Sequence, residues 1–367
     1  MRKLFALLLA LAMCVSLVGC GASKPAETTA PATEATVAET SAPAEDIVIL
    51  YTNDVHTYID GPLSYDVIAA LKAQYESQYN NVILVDAGDH IQGTAYGSMD
   101  KGKTIIDLMN AAGYDLATLG NHEFDYGMER ILELVEKADY EYISSNFYHI
   151  VDGYEGDTVL PAISYATFGD TKIAFVGITT PESFTKSTPA YFQDENGNYI
   201  YGISGGEDGA ALHADVQAAI DAAKAEGATK VIALGHLGDD PASQPWTSEE
   251  LIANTTGLDA FIDGHSHSTV AGKTVADKDG NAVLLTQTGE YFGAIGKMTI
   301  TAEGAISTEL VTEVDNTVAV SVIPSALNVL VHSINGPLTV FNKSVDVVAC
   351  GRVKLVKDVL VVEESNA

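Results

Sequence analysis

From residue 47 onward, apolar residues fall into short unbroken runs separated by longer amphipathic stretches. The runs IVILY (47–51), VILVD (82–86), LATL (116–119), KIAFVGI (172–178), KVIAL (230–234) and LDAFI (258–262) do not alternate with polar positions. Strands buried on both faces have that pattern, so a sheet covered on two sides is predicted. Between the runs, helical spacing predicts helices over 64–78, 104–112 with Gly113 as a stop, 128–137, and 209–226 with Gly227 as a stop. A further helix over 247–254 opens on the capping sequence TSEE. After residue 281, AVLLTQTG, IGKMTITA and ISTELVTEV predict hairpin-like antiparallel strands. The fold class is α/β, without internal repeats.

The first 46 residues follow other rules. Arg2 and Lys3 precede the apolar stretch LFALLLALAMCVSLV, and the small Gly19 precedes Cys20, as in a secretory signal over 1–19. LVGC resembles the bacterial lipobox, which makes Cys20 the expected first mature residue and a lipid-bearing membrane anchor. Residues 20–46 are rich in Ala, Thr, Pro and Glu and hold no aromatic residue, so they predict a disordered spacer. Such a spacer averages about 30 Å end to end. With Cys14 in the signal and Cys20 lipidated, only Cys350 remains of three cysteines, which excludes a disulfide framework or thiolate metal cluster. The formal net charge of −31 argues against nucleic-acid polymers as partners.

Candidate chemistry lies just beyond the strands. Asp54 and His56 follow the first, Asp89 the second, Asn121 and His122 the third, His236 the run KVIAL, and His265 with His267 the run LDAFI. Open α/β sheets gather ligands at their carboxyl ends, so these groups converge on one place. The mixed oxygen and nitrogen donors suit Mn²⁺, Zn²⁺ or Fe. In DVH and HSH the i, i+2 spacing on extended backbone points both side chains to one side. Asp54, His56, Asp89, Asn121, His236, His265 and His267 are too many ligands for one ion, whereas two divalent ions sharing Asp89 use them all. Each motif alone is compatible with a polar turn; the ordered set DVH, GDH, GNHE, GH, GHSH is what points to a site.

YTNDVHTYID, DAGDHIQGT, GNHEFDYG and DGHSHS resemble the calcineurin-like metallophosphoesterase superfamily, in its 5′-nucleotidase and cyclic-nucleotide phosphodiesterase branch. The resemblance covers residues 47–315 and implies a layered α/β/β/α sandwich with mixed sheets. It implies one metal on Asp54, His56, Asp89 and His267, and another on Asp89, Asn121, His236 and His265. His267 stands where some members of the branch carry Gln. Two such metals acidify a water and clamp phosphate oxygens during in-line displacement. They would also draw an anionic substrate to an acidic protein. His122, to which the resemblance assigns no metal, is expected to bind a phosphoryl oxygen or protonate the departing alcohol, with Asp125 orienting its ring. Glu123 is expected to brace the turn. The substrate expected is a small phosphate ester, foremost an extracellular nucleotide.

His90 is expected outside the ligand set; His149, His213 and His332 belong to no motif; Trp246 and Tyr291 could stack a base but read more simply as packing. Residues 316–367 hold one aromatic, Phe341, and one arginine, Arg352, in place of the base-gripping second domain usual in the branch. The Val-rich runs there predict strands without an evident role. Two other function classes fit the same residues: a hydrolase of other oxyanion esters or sugar diphosphates, and a metal- or solute-binding surface lipoprotein without turnover.

Overall fold

The computed structural model describes residues 45–314 and the strands Cys350–Val356 and Val359–Glu364. The expected signal, Cys20, nearly all of the spacer and most of residues 316–367 lie outside the described residues.

The chain begins with β1 (Ile47–Thr52), α1 (Tyr65–Glu76), β2 (Asn81–Asp86), α2 (Ala95–Asp100), α3 (Lys103–Ala112), β3 (Leu116–Thr118), α4 (Met128–Lys137) and β4 (Glu141–Ile143). It continues with β5 (Phe147–Val151), β6 (Tyr154–Thr158), β7 (Ile163–Phe168), β8 (Thr171–Thr179), α5 (Ser183–Lys186), β9 (Tyr201–Ile203), α6 (Ala210–Ala225) and β10 (Lys230–His236). Then come α7 (Ser248–Asn254), β11 (Ala260–Ile262), β12 (Thr269–Ala276), β13 (Ala282–Thr288), β14 (Ile295–Ile300) and β15 (Ile306–Val311). Farther on, β16 (Cys350–Val356) and β17 (Val359–Glu364) pair antiparallel with each other.

Two six-stranded mixed sheets carry the fold, in the orders β15-β14-β1-β2-β3-β4 and β12-β13-β11-β10-β8-β7. In the first, β1 to β4 are parallel and β14 and β15 antiparallel; in the second, β8, β10, β11 and β13 are parallel and β7 and β12 antiparallel. Successive residues of a strand face opposite ways. On β1, Ile47, Ile49 and Tyr51 join Phe175, Ile232 and Leu234 of the second sheet in one core cluster, while Val48 and Leu50 join α1, α3 and α4 in another. On β10, Val231 and Ala233 pack with α6 and α7. Helix, sheet, sheet and helix therefore form the expected α/β/β/α sandwich, and the unbroken apolar runs are the strands apolar on both faces. Thr247 caps α7 by accepting the Glu250 N–H at 3.3 Å.

One expectation changes. AVLLTQTG and IGKMTITA do not pair with each other: β13 lies in the second sheet, in a hairpin with β12, and β14 in the first, in a hairpin with β15. The turn between β13 and β14 inserts Phe292 into the core and carries the chain across the sandwich. At the first described residues, Asp46 Oδ1 accepts the Ala302 N–H at 3.0 Å.

Candidate metal centre

The loops beyond β1 and β2 are joined by backbone hydrogen bonds, Ala87 N–H to Thr52 O, Asp54 N–H to Gly88 O and His56 N–H to Asp89 O. Asp54, His56 and Asp89 there adopt left-handed backbone with φ of 49°, 47° and 60°; His265 and His267 do the same at 84° and 57°. The extended geometry expected for DVH and HSH is thus replaced by sharp left-handed turns. The close loop packing requires them, and Asp and His tolerate them better than most residues. Asn53 ties the two sheets together: its Nδ2 donates to Asp54 Oδ2 and Gly289 O, and its Oδ1 accepts from Thr288 N–H and Oγ1.

The candidate ligands separate into two groups, Asp54 with His56 and His267, and Asp89 with His236 and His265. In the first, the Nε2 atoms of His56 and His267 lie 3.1 Å apart, with Asp54 Oδ1 3.4 Å from the latter. In the second, His236 Nε2 lies 3.1 Å from Asp89 Oδ2, which is also 3.7 Å from His56 Nε2. Asp89 therefore reaches both groups. The opposite ends of these side chains are tied down: His56 Nδ1 to Gln92 O, His236 Nδ1 to Ala87 O, His267 to Glu290 and His265 to Glu182. Such ties fix ring orientation and donor atoms.

Three buried atoms here have no hydrogen-bond partner among the described residues: Asp54 Oδ1, Asn121 Oδ1 and His236 Nε2. Unsatisfied buried donors and acceptors are costly, and converging lone pairs repel. Imidazole and carboxyl donors so arranged fit two divalent cations. Burial lowers the basicity of His236, but the charges of Asp89 and Asp54 outweigh it and raise its pKa to about 10.

GNHEFDYG divides its labour among its residues. Glu123 is buried, and its carboxylate accepts N–H groups from Gly120, Asp89 and His90 at 2.7–2.8 Å and from Ile91 at 3.3 Å. His122 N–H donates to Asp89 Oδ1 at 2.8 Å, and its Nδ1–H to Asp125 Oδ2 at 2.6 Å. Its ring centre lies 5.2 Å from that of His56. Burial lowers its pKa, but the Asp125 hydrogen bond and the charges of Asp89, Asp125 and Glu123 raise it to about 9. His90 faces away into the core, donating to Asp86 and bonded to the Tyr142 hydroxyl. Gly120 must be glycine, because a Cβ there would lie 2.2 Å from Asp89 Oδ1.

Trp246 donates to Gly206 O, His149 is exposed and His213 half-buried on α6. Sequence reasoning missed Asn53, Glu182, Lys186 and Glu290. Glu182 follows β8, so the rule of strand ends already pointed to it; Lys186 Nζ lies 3.2 Å from His265 Nε2. No helix among the described residues is long and apolar enough to cross a membrane.

The calcineurin-like phosphoesterase family profile matches residues 47–269. Human 5′-nucleotidase is 30% identical over 297 residues, 69% of this chain and 46% of that protein. The trifunctional nucleotide phosphoesterase protein YfkN of Bacillus subtilis is 29% identical over 265 residues, 62% of this chain and 17% of that one. The chain thus spans less than half the length of these relatives. Its fold matches the crystal structure of a 5′-nucleotidase precursor from Thermus thermophilus with a TM-score of 0.62 and 21% identity, over 79% of this chain and 59% of that one. The calcineurin-like phosphoesterase YfkN structure matches at 0.60 and 22%, over 80% and 99%. With the family profile spanning most of both sheets and all seven candidate ligands, the chain belongs to the calcineurin-like phosphoesterase family.

Proposed function

We propose that this chain is a two-metal hydrolase of phosphate esters, with nucleotides as its principal substrates. The observation that carries it is the pair of donor groups, Asp54 with His56 and His267 and Asp89 with His236 and His265, linked by Asp89 Oδ2 at 3.7 Å from His56 Nε2, with three unpartnered buried atoms among the candidate ligands. Asp54, His56, Asp89 and His267 would hold one cation, and Asp89, Asn121, His236 and His265 the other. Such a pair supplies Lewis acidity toward phosphate and an activated water. The protein's own part is positional and protic. Asn53 and Glu123 hold the ligand loops, while Glu182 and Glu290 orient His265 and His267. His122, kept protonated by Asp125, delivers a hydrogen bond to a phosphoryl oxygen and then a proton to the departing alkoxide. Relatives named for nucleotide hydrolysis support the substrate class.

The rest of the organisation belongs to the same proposal: a signal over 1–19, a lipidated Cys20 placing the enzyme on the outer face of a membrane, a spacer, and a catalytic domain to residue 315. The test is metal analysis together with hydrolysis of a panel of phosphate and sulfate esters, with Mn²⁺, Zn²⁺ or Fe²⁺ and after chelation. About two ions per chain, phosphate-ester turnover and its loss to chelator are expected. Full activity with one ion or none overturns the two-metal assignment; turnover of sulfate esters alone overturns the substrate class.

A further inference from the structure

Beside the metal centre, Tyr58 and Tyr291 are stacked with ring centres 4.0 Å apart and planes inclined at 28°. Both stay open to solvent, at 43% and 39% exposure. Tyr291 also stands edge-on to His56 and His267, its ring centre 5.7 Å and 5.8 Å from theirs. An exposed aromatic pair thus adjoins one of the two donor groups.

The backbone makes the arrangement unusual. Tyr291 and Phe292 adopt φ of 58° and 55°, a left-handed conformation that bulky side chains rarely take. For Phe292, burial offsets the strain: it is 5% exposed and packs edge-on against Tyr65 at 5.0 Å. Tyr291 has no comparable burial. Its N–H donates to Asp54 O at 2.8 Å, a bond that glycine or asparagine would make at lower conformational cost. Stability alone gives no reason for a large ring held in a strained turn, partly in water and against two candidate ligands. Binding does, because strain of this kind is retained where it positions a surface for a ligand.

We propose that Tyr58 and Tyr291 form an aromatic platform that receives the planar ring carried by the leaving group of a phosphate ester bound at the metal centre. The inference rests on the hydrolase function proposed above and adds the basis of its substrate choice. Stacking on an exposed aromatic surface favours any base over none and separates one base from another poorly. The platform therefore selects aromatic-bearing esters, nucleotides among them, over sugar or alkyl phosphates, and does so from within the catalytic domain.

Adenosine 5′-monophosphate and ribose 5-phosphate test this, since both release a primary alcohol and differ in the base. The wild-type chain with Mn²⁺ should prefer the nucleotide by about tenfold or more in kcat/KM, mainly through KM. Tyr291→Asn, which suits the left-handed turn and so preserves folding, and Tyr58→Leu should each lower that ratio several-fold; Tyr58→Phe and Tyr291→Phe should retain it. Saturation-transfer NMR with adenosine alone supplies a readout independent of turnover: base protons should receive transfer from the wild type and lose it in the Tyr58→Leu, Tyr291→Asn double variant. A wild-type ratio below about twofold, or a ratio unmoved by both single variants, overturns the platform. If no phosphate ester is hydrolysed while adenosine contact still depends on both rings, the platform stands and the hydrolase function fails.

Discussion

Glu123→Gln tests how far the candidate metal centre depends on a residue that belongs to neither donor group. The Glu123 carboxylate is fully buried and accepts four backbone N–H groups, two on each oxygen. Glutamine keeps the shape but replaces one oxygen with an NH₂ group that cannot accept. The milder orientation leaves the carbonyl on Asp89 and Gly120 and turns the amide toward His90 and Ile91, whose bonds measure 2.8 and 3.3 Å. Hydrogen bonds to a charged acceptor contribute about 1.5–3 kcal/mol each, and an orphaned buried donor costs about 1–3. One full bond and one long one then amount to about 2–4 kcal/mol, a large share of a typical total of about 5–15 kcal/mol. For a domain of this size that is a fall in Tm of roughly 4–12 °C. Because the lost bonds hold the Asp89 loop, metal affinity should fall about 10–100-fold although no ligand has changed. Thermal unfolding of chelated and loaded protein, with metal titration, measures both. A chelated Tm within a degree or two of wild type and unchanged affinity would refute the bracing role.

Asp89→Ala should cost metal at both donor groups together with turnover, whereas His122→Ala should keep its metal and lose about 10²-fold in kcat; metal loss in the latter would make His122 a ligand instead. Cys20→Ser should release the protein from membranes, and unchanged membrane association with unchanged mass would exclude lipidation. Among nucleoside monophosphates, kcat/KM should vary less than about tenfold between bases, since stacking reads rings and not hydrogen-bonding edges; a hundredfold preference for one base would require a dedicated pocket.

Most of the sandwich was legible because its central strands are apolar on both faces, a pattern that exposed elements cannot produce. β5, β6, β7, β9 and β12 carry exposed or half-buried residues and β4 offers only EYI, so no unbroken apolar run marks them and they went unread. Sheet membership of β13 and β14 was also hidden: each reads as a strand, but the crossing between sheets depends on a turn built from Tyr291 and Phe292 at positive φ, which residue type does not announce. At the site, the candidate ligands stood out because imidazole and carboxyl groups recur at successive strand ends. Their supports did not, since a glutamate in a loop, such as Glu182 or Glu290, is ordinary until its partner is known. Tyr58 is a further case; Tyr291 could stack a base but reads more simply as packing, and its partner lies more than two hundred residues away, joined to it only by the fold.

The positions of strain bring fold and site together. Ten non-glycine residues among those described have positive φ, and Asp54, His56, Asp89, His265 and His267 are five of them. Left-handed backbone costs roughly 1–2 kcal/mol per ordinary residue. Here it is compounded by converging lone pairs and unpartnered buried atoms. The cost is tolerable because the strand ends are fixed beforehand: Ile49, Val85, Phe175 and Leu234 interlock between the sheets, and the Asn53 and Glu123 hydrogen bonds clamp the loops above them. A scaffold that holds like-minded donors together against their repulsion is one whose folding gains from a cation. Loading should therefore stabilise the two sheets against one another as well as equip the site, so that metal affinity and domain stability rise and fall together.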